Sequence, residues 1–337
     1  MTEAKSAPDI DRLTADIKAQ SGFVDQVLAE VGKIVVGQKV MVERILIGLL
    51  TGGHVLLEGV PGLAKTLTLT TVARVLRLDE KRIQFTPDLL PGDLTGTSVW
   101  DPDKRAFEPR KGPVFTNLLL ADEVNRAPAK VQSALLEAMQ EKRVTIGRET
   151  FDLPQPFFVM ATQNPVEQEG TYPLPEAQVD RFMLKVHVGF PSRAEERVIM
   201  ERMTEGHEEV ARDVVGAEDL RRAGNLVREM YVDDRLKRYI VDLVFATREP
   251  AEVPGGRLAS LKPLIAWGAS PRATIALNLA ARAHAFLNHR AFVIPDDVKA
   301  IGLDVLRHRV HLTFEAEAED IKADDVIRRV FEAVAVP

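Results

Sequence analysis

The chain has 337 residues, enough for two domains, and its hydrophobic fraction of 45% and charged fraction of 28% are typical of a globular protein. Its formal net charge is −6, so the bulk composition gives no sign of a nucleic-acid-binding surface. Because there is no cysteine, the chain cannot form disulfides, zinc–thiolate sites or a catalytic thiol, which fits a reducing compartment.

The beginning of the chain, residues 1–22, is polar and charged and has no pattern of a signal peptide. We expect it to be a flexible N-terminal extension. Residues 23–50 then have a helical pattern. The longest apolar stretch, residues 45–50, is far too short to span a bilayer, so we expect no membrane span and a cytoplasmic location.

Apolar runs that alternate with helical segments follow. The predicted strands are residues 54–57, 82–85, 114–120, 157–161 and 185–188. Helical patterns lie between several of them, notably at residues 67–78 and 129–141. Short, nearly continuous apolar strands that alternate with helices indicate an α/β fold whose parallel sheet is covered on both faces. Residues 23–192 are therefore predicted to form an α/β domain.

After residue 192 the strand-like runs almost disappear. The predicted helices are residues 195–203, 217–231, 234–247, 272–288 and 296–308. Ser270-Pro271 and Pro295-Asp296 are typical helix starts for the last two of these. Residues 193–337 are therefore predicted to form an all-helical domain.

The most informative motif is GVPGLAKT at residues 59–66, between the first predicted strand and the helix that follows it. A strand, a glycine-rich turn, Lys-Thr and a helix form a phosphate-binding loop, whose backbone N–H groups and helix dipole attract an anion. Lys65 is predicted to reach the β- and γ-phosphates, and the Thr66 hydroxyl to ligate Mg²⁺. The predicted nucleotide-binding residues here are Gly59, Pro61, Gly62, Leu63, Ala64, Lys65, Thr66 and Leu67.

One position of this loop departs from the common pattern. Ala64 stands where glycine is usual, directly before the lysine. Alanine tolerates a helical φ but not a left-handed one. We therefore expect Ala64 to belong to the first turn of the helix.

A pair of acids, Asp122 and Glu123, ends the third predicted strand. In α/β sheets, ligands bind at the carboxyl ends of the strands, where the phosphate loop also lies. Asp122 is predicted to hold the water shell of Mg²⁺, and Glu123 to orient or deprotonate the attacking water. The alternative is an acidic start to the next helix, which the helix dipole would favour. The position after a phosphate loop favours the catalytic interpretation.

These motifs resemble the MoxR family of AAA+ ATPases. The resemblance rests on residues 59–66 and 122–128 (DEVNRAP), with further matches at residues 84–93 (QFTPDLLPGD), 161–165 (ATQNP), 169–177 (EGTYPLPEA) and 268–272 (GASPR). It runs from about residue 25 to residue 335, and alanine at position 64 is typical of the family. It implies a P-loop AAA+ nucleotide-binding domain with ATP and Mg²⁺ as its ligands, followed by a helical lid domain.

The resemblance also implies roles for single residues. Asn164 resembles sensor 1, which helps to position the hydrolytic water, although Asn-Pro is also common in turns. Arg181 resembles an arginine finger that reaches the nucleotide of a neighbouring subunit; the alternative is a surface arginine paired with Asp180 or Glu176. Arg272 resembles sensor 2 at the start of a lid helix, and its alternative is an arginine that merely follows a Ser-Pro cap.

Other segments resemble less specific parts of the family. Val36, Gly37 and Gln38 match its adenine-side segment, although an apolar helix–loop junction has the same pattern. Residues 96–109 and 144–151 are predicted to form hairpins. In similar AAA+ rings such elements line or cap the central pore, and the alternative is surface hairpins that stiffen the domain.

The implied function is ATP hydrolysis in a homo-oligomeric ring, most often a hexamer, that remodels, matures or activates a partner protein. MoxR-like proteins often work with a partner that carries a von Willebrand factor type A domain. An ATP-driven nucleic-acid motor is the alternative, because related ATPases include replicative helicases, but the acidic charge argues against it. A nucleotide-gated scaffold with little turnover is a third hypothesis, against which Glu123 and Arg181 argue. The identity of the client stays open.

Overall fold

The structure is a computed structural model that describes residues 10–60, 62–164, 171–205 and 209–337. It divides into two compact units. One contains Phe23–Arg221, and the other contains Arg222–Pro337 together with the N-terminal residues up to Gly22. We call the first the α/β unit and the second the helical unit.

Strands of the α/β unit form one central sheet and two hairpins. In the described residues they are, in chain order, β1 (Val55–Glu58), β2 (Glu80–Gln84), β3 (Gly96–Asp101), β4 (Ala106–Lys111), β5 (Leu118–Asp122), β6 (Arg143–Ile146), β7 (Glu149–Asp152), β8 (Phe158–Gln163) and β9 (Leu184–His187). The central sheet has five strands in the order β2-β5-β8-β1-β9, and all neighbours pair in parallel. The predicted parallel sheet is therefore confirmed. Because its strands are parallel, their carboxyl ends all lie along the same side of the sheet.

The interior and the edge of this sheet differ in chemistry. β1, β5 and β8 lie inside the sheet, and they are buried up to their last residue and apolar apart from Thr162 of β8. That pattern is typical of strands covered on both faces. The edge strand β2 is largely exposed and carries Glu80, Lys81 and Arg82, charges that hinder edge-to-edge pairing with another chain.

Helices cover this sheet. Those that begin before residue 222 are α1 (Ile10–Ile34), α2 (Lys39–Thr51), α3 (Lys65–Val75), α4 (Pro91–Thr95), α5 (Ala129–Glu141), α6 (Glu176–Val179), α7 (Arg193–Thr204) and α8 (Ala217–Glu229). α2 packs against β1, β8 and β9, and α3 packs against β5. α7 begins with a capping box, in which the Ser192 hydroxyl accepts a hydrogen bond from the Glu195 N–H, and the Glu195 carboxylate accepts one from the Ser192 N–H.

Both predicted hairpins are present. β3 pairs with β4, and β6 pairs with β7, in antiparallel register. At the exposed face of the first hairpin, Trp100 lies directly opposite Phe107, and their ring centroids are 5.3 Å apart in an edge-to-face arrangement. Such cross-strand aromatic pairs stabilise a two-stranded ribbon.

The described residues of the helical unit are mostly helical and include one short two-stranded ladder. Its further elements are α9 (Asp234–Arg248), β10 (Ile265–Trp267), α10 (Pro271–Leu287), α11 (Pro295–Leu306), β11 (His311–Leu312), α12 (Phe314–Ala318) and α13 (Ala323–Ala333). β10 and β11 pair in antiparallel register. The predicted helical domain is confirmed, and this two-stranded ladder is an addition to it.

A buried carboxylate fixes the connection between α10 and α11. The Asp297 side chain has no exposed surface and accepts hydrogen bonds from His284 Nδ1 at 2.6 Å, Arg290 Nη1 at 2.6 Å and the Ile294 N–H at 2.8 Å. Burial alone would raise the pKa of Asp297, but the bonds from Arg290 and His284 lower it below its usual range. The ionised group is therefore fully partnered, as a buried charge requires.

Of the expected flexible extension, residues 1–9 lie outside the described residues, and residues 10–22 differ from the expectation. Residues 10–22 are the first part of α1, and Leu13 and Ile17 on that helix are buried. The Ser21 hydroxyl lies 2.6 Å from His289 Nδ1, within the helical unit. Leu13 and Ile17 have the i, i+4 spacing of an amphipathic helix, which the polar composition of the segment obscured.

The division into units also differs from the boundary expected near residue 192. Residues 193–221 group with the α/β unit. The Arg212 N–H donates to Glu30 Oε2 at 2.9 Å, and the Val214 N–H donates to the Val75 carbonyl at 2.8 Å. A change in composition marks where strands give way to helices, but these long-range hydrogen bonds join residues 212 and 214 to the α/β unit.

None of the described helices combines the length and the apolar character that crossing a membrane would require. The same part of the chain contains no group of three or more side chains, of the types that ligate metals, placed to hold an ion by themselves.

A buried histidine joins α5 to the central sheet. His54, just before β1, is 5% exposed and packs against Phe157 and Phe158. Its Nδ1 accepts a hydrogen bond from the Val159 N–H at 3.0 Å, and its Nε2 lies 3.2 Å from the Met139 carbonyl, to which it can donate. Burial lowers the pKa of His54 to about 4, so the neutral ring is the folded form.

This histidine predicts a loss of stability in mild acid. The unfolded ring has its ordinary pKa near 6.5 and the folded ring one of about 4, so stability is complete above pH 6.5 and falls as the pH drops towards 4. At about pH 5 the loss is about 2 kcal/mol relative to neutral pH. Urea unfolding at both pH values, compared with His54→Gln, measures it. Equal pH dependence of both proteins would contradict the assignment.

Candidate functional site

The loop of residues 59–66 connects β1 to α3 at the carboxyl edge of the sheet. A side chain at Gly59 would place its Cβ 2.7 Å from the Val188 carbonyl oxygen, so only glycine fits there. Gly62 has a φ of +84°, which glycine adopts without steric cost. Pro61, a predicted member of the binding loop, lies outside the described residues.

Ala64 corrects the expectation from its sequence. It has a left-handed conformation, with φ 54° and ψ 21°, and it precedes α3 instead of belonging to its first turn. Its carbonyl accepts the Thr68 N–H at 2.8 Å. The prediction was wrong because the helix begins one residue later. For alanine this conformation costs about 1 kcal/mol, and strained residues of this kind cluster at functional sites.

The start of α3 is suited to an anion. No side chain caps the helix, and its first turn contains no acidic residue. The first N–H groups of an α-helix have no partner within the helix, and the helix dipole places partial positive charge at the same end. This end of α3 therefore presents backbone donors to the loop, as the predicted phosphate site requires.

Lys65 lies at the same end of the helix, beside the acids of β5. Its Nζ donates to the Gly59 carbonyl at 2.7 Å, across the loop. Burial lowers the pKa of Lys65, and the charges of Asp122 and Glu123 act in the opposite direction. The ammonium is therefore within electrostatic reach of both carboxylates.

A single hydroxyl positions Asp122 and Glu123. Thr162, on the neighbouring strand β8, donates to Asp122 Oδ1 at 2.6 Å and accepts the Glu123 N–H at 2.9 Å. Glu123 itself has a left-handed conformation, with φ 55° and ψ 52°. Thr162 is 1% exposed, so its hydroxyl depends on these two partners.

The acid pair does not begin the next α-helix, which was the alternative reading of the sequence. Glu123 precedes a 3₁₀ turn at Val124–Arg126, and α5 begins at Ala129 with no acidic residue in its first turn. Both acids instead face the cavity that the phosphate loop lines. This placement favours the catalytic interpretation.

The two acids have side-chain partners that the sequence analysis missed. Asp122 Oδ2 accepts Arg82 Nη2 at 2.6 Å and Nε at 3.2 Å. Glu123 Oε2 accepts Gln84 Nε2 at 2.6 Å and Arg126 Nη1 at 3.1 Å. The spacing of Arg82 and Gln84 places them on one face of β2, but only the pairing of β2 with β5 brings them to the acids.

A cavity of about 460 Å³ gathers most of the predicted site. Its lining residues are Gly59, Gly62, Leu63, Ala64, Lys65, Thr66, Leu67, Arg82, Gln84, Asp122, Glu123, Thr162 and Asn164. Asn164 is buried and directly follows β8, at the same edge of the sheet. The described loop residues, both acids and Asn164 therefore line one cavity, and their roles in it stay predictions.

The remaining predicted residues lie elsewhere. Val36, Gly37 and Gln38 directly precede α2, and the Gln38 carbonyl accepts the Val42 N–H at 3.1 Å. Arg181 follows α6, and its buried Nε has no hydrogen-bond partner in the part of the chain that the structure describes. Arg272 is in the helical unit, where its N–H donates to the Ser270 hydroxyl at 3.2 Å. Their roles stay predictions.

The fold and the cavity together define a class of protein. A phosphate-binding loop, two acids at the end of the strand two positions away in a parallel sheet, and a helical unit after it are the parts of an AAA+ P-loop ATPase. A family model described as "ATPase family associated with various cellular activities (AAA)" matches residues 54–184, and a second, described as "AAA lid domain", matches residues 259–330.

Known proteins narrow this class. The chain is 50% identical over 321 residues to Chaperone MoxR1 of Mycobacterium tuberculosis, a match that covers 95% of this chain and 84% of that protein. It is 32% identical to Protein MoxR of Methylorubrum extorquens, over 91% of this chain and 93% of the relative. A crystal structure of a proposed ATPase from Cytophaga hutchinsonii has a TM-score of 0.89 and 50% identity, over 97% of this chain and 98% of the other. The chain therefore belongs to the MoxR family of AAA+ ATPases.

The residues present fit a nucleotide with Mg²⁺. The uncapped start of α3 and the Lys65 ammonium supply the donors and the positive charge that phosphates need. Thr66 and Asp122 both line the cavity, and their side chains carry the kind of oxygen atoms that Mg²⁺ prefers as ligands. A nucleoside triphosphate is therefore the ligand class that this cavity suits.

The bridging hydroxyl gives the first test of the site. We expect Thr162→Val, which keeps the side-chain volume but removes the hydroxyl, to lower the rate of ATP hydrolysis by about tenfold or more, because both acids lose their common partner. ATP affinity should change much less. Thr162→Ser keeps the hydroxyl and should retain most activity. Equal rates for the valine and serine variants would contradict the positioning role.

Proposed function

We propose that this protein hydrolyses ATP in an oligomeric ring and uses the energy to remodel, mature or activate another protein. The observation that carries the proposal is the single cavity in which the phosphate loop, Lys65, Asp122 and Glu123 meet. Membership of an ATPase family supports the same activity. ATP is a cytoplasmic substrate, so we also propose that the protein works in the cytoplasm.

In the proposed reaction, Lys65 and the N–H groups at the start of α3 hold the phosphates, and Thr66 and Asp122 hold Mg²⁺. When bound, the metal supplies positive charge against the charge that develops on the phosphates. Lys65 also withdraws charge from the γ-phosphate as the bond to it breaks.

Glu123 is the proposed base. Its carboxylate takes the proton of the attacking water, and Asn164 helps to hold that water beside it. Gln84 and Arg126, at 2.6 Å and 3.1 Å, hold one carboxylate oxygen and leave the other to meet the water. The left-handed backbone of Glu123 is the kind of strained conformation that clusters at functional sites.

Other parts of the proposal go beyond one subunit. Arg181 would act on the nucleotide of a neighbouring subunit, where its positive charge would balance the charge that develops on the phosphates. A head-to-tail contact that closes on itself would form the ring, which we propose to be a hexamer. Arg272 would contact a nucleotide phosphate, and Val36–Gln38 would contact the adenine base.

The proposed partner is a protein. One relative is named a chaperone, which supports action on other proteins. We propose a client or co-factor protein with a von Willebrand factor type A domain. The hairpin β3–β4, with Trp100 and Phe107 on its exposed face, offers apolar surface for contact with a client.

The proposed base predicts a separation of binding from hydrolysis. Glu123→Gln keeps the size of the side chain but cannot accept a proton, so ATP turnover should fall at least about 100-fold while ATP affinity stays within a few-fold of wild type. Lys65→Ala should instead weaken ATP binding, because the loop loses its cation. Phosphate release and calorimetry measure the two effects. Normal turnover by Glu123→Gln would exclude Glu123 as the base.

The same variant tests the partner. Because Glu123→Gln should hold ATP without hydrolysing it, it should retain its client, and Lys65→Ala is the matched variant that should not. Both are recovered from native lysate with ATP, and the bound proteins are identified. A protein with a von Willebrand factor type A domain that is enriched only with Glu123→Gln supports the proposal. Nuclease-sensitive nucleic acid without an enriched protein would favour a motor, and no turnover by wild type would favour a scaffold.

The proposed arginine finger predicts complementation between subunits. Arg181→Ala and Lys65→Ala should each be nearly inactive alone, for different reasons. In an equal mixture, a subunit with intact Lys65 can receive an intact Arg181 from its neighbour, so about a quarter of the wild-type ATPase rate should return. Co-purification of differently tagged subunits verifies mixing. Mixed rings without recovered activity would mean that Arg181 acts within its own subunit.

A further inference from the structure

The Arg82 side chain forms a salt bridge with Asp122, the acid that we propose as a ligand of Mg²⁺. Arg82 is on the edge strand β2, two residues before Gln84, which pairs in register with Asp122. The Arg82 side chain is 55% exposed, whereas the Asp122 side chain is 17% exposed. The arginine therefore reaches from the open edge of the sheet into the cavity, and both residues line it.

The contact with Arg82 occupies one of the two carboxylate oxygens of Asp122. Asp122 Oδ2 accepts both Arg82 Nη2, at 2.6 Å, and Arg82 Nε, at 3.2 Å. Asp122 Oδ1 accepts the Thr162 hydroxyl at 2.6 Å. Because each carboxylate oxygen has two lone-pair directions, Arg82 fills those of Oδ2. A metal-bound water could pair with that oxygen only after the guanidinium had moved.

The guanidinium is also connected to the second acid. Arg82 Nη2 lies 3.4 Å from Gln84 Oε1, and Gln84 Nε2 donates to Glu123 Oε2 at 2.6 Å. A displacement of Arg82 would therefore remove a neighbour of the Gln84 amide, which holds Glu123. Arg82 thus contacts Asp122 directly and Glu123 through one side chain.

We propose that Arg82 is the counter-cation of Asp122 until Mg²⁺ takes its place, so that this arginine sets how strongly nucleotide binding depends on Mg²⁺. The inference rests on the proposed function, because it takes ATP or ADP with Mg²⁺ as the ligand. Arg82 is here a positioning residue. Without the metal, Arg82 neutralises a carboxylate that would otherwise repel the phosphates. With the metal, the same neutralisation comes from Mg²⁺, and the exposed arginine moves aside.

The test is the ratio of the ADP dissociation constants measured without Mg²⁺, in excess chelator, and with saturating Mg²⁺. In Arg82→Gln, Asp122 keeps its charge but loses its counter-cation, so ADP binding without Mg²⁺ should weaken. Binding with Mg²⁺ should change little or tighten. The ratio should therefore increase by about fivefold to tenfold over wild type. Calorimetry measures the ratio without any need for turnover.

A matched variant separates this effect from a general loss of charge. Lys81 is the neighbouring residue on β2, is exposed and does not line the cavity. Since side chains alternate along a strand, it lies on the other face of the sheet. Lys81→Gln makes the same change in charge on the same strand and should leave the ratio at its wild-type value. Arg82→Lys keeps the charge but not the paired N–H donors, and its ratio should lie between those of wild type and Arg82→Gln.

The ADP-binding measurements distinguish failure of this inference from failure of the proposed function. If wild type binds neither ADP nor ATP in either condition, the proposed function itself fails. If wild type binds and Arg82→Gln has the same ratio within about twofold, the inference is overturned and the proposed function is not. A ratio that rises equally in Lys81→Gln would also overturn it, because the effect would then be long-range charge. Urea unfolding of each variant verifies that the fold is intact.

Discussion

The site depends on the parallel register of β1, β5 and β8, which brings their carboxyl ends to one edge of the sheet. β1 leads into the phosphate loop, β5 ends in Asp122, and β8 supplies Thr162 between them. The two hydrogen bonds of the Thr162 hydroxyl, at 2.6 Å and 2.9 Å, transfer the rigidity of the buried sheet to both acids. A shift of register on either side would separate the hydroxyl from its partners and the acids from the loop.

At the carboxyl ends of these strands, several residues have conformations or environments that are unfavourable for stability. Ala64 and Glu123 both have left-handed backbones, and each begins a turn that faces the cavity. Lys65 is partly buried beside two carboxylates, and Arg82 and Arg126 share those carboxylates. The stability comes from elsewhere, from the apolar interior strands and from buried polar groups that are fully partnered, such as His54 and Asp297. Because the charged side chains pair with opposite charges, the net charge of the cavity lining is close to zero.

Much of this could be predicted from the sequence, because its signals are local. The phosphate loop, the acid pair and the apolar strands are contiguous segments, and Lys65, Asp122 and Asn164 line one cavity. The partners of the acids were not predictable in this way. Arg82 and Gln84 reach Asp122 and Glu123 only through the pairing of β2 with β5, which no local pattern specifies. The left-handed conformation of Ala64 was missed because a sequence predicts the first residue of a helix only to within a residue or two. Here α3 begins at Lys65, so Ala64 lies just outside the helix and not in its first turn.

The central claim is that ATP and Mg²⁺ bind at the carboxyl edge of this sheet, between the phosphate loop and Asp122. An experimental structure of Glu123→Gln with ATP and Mg²⁺ tests it most directly. We expect the phosphates to lie against residues 62–66, with Thr66 and Asp122 on the metal and Arg82 no longer bonded to Asp122 Oδ2. A nucleotide bound elsewhere, or phosphates in the loop with the metal held by other residues, would contradict it.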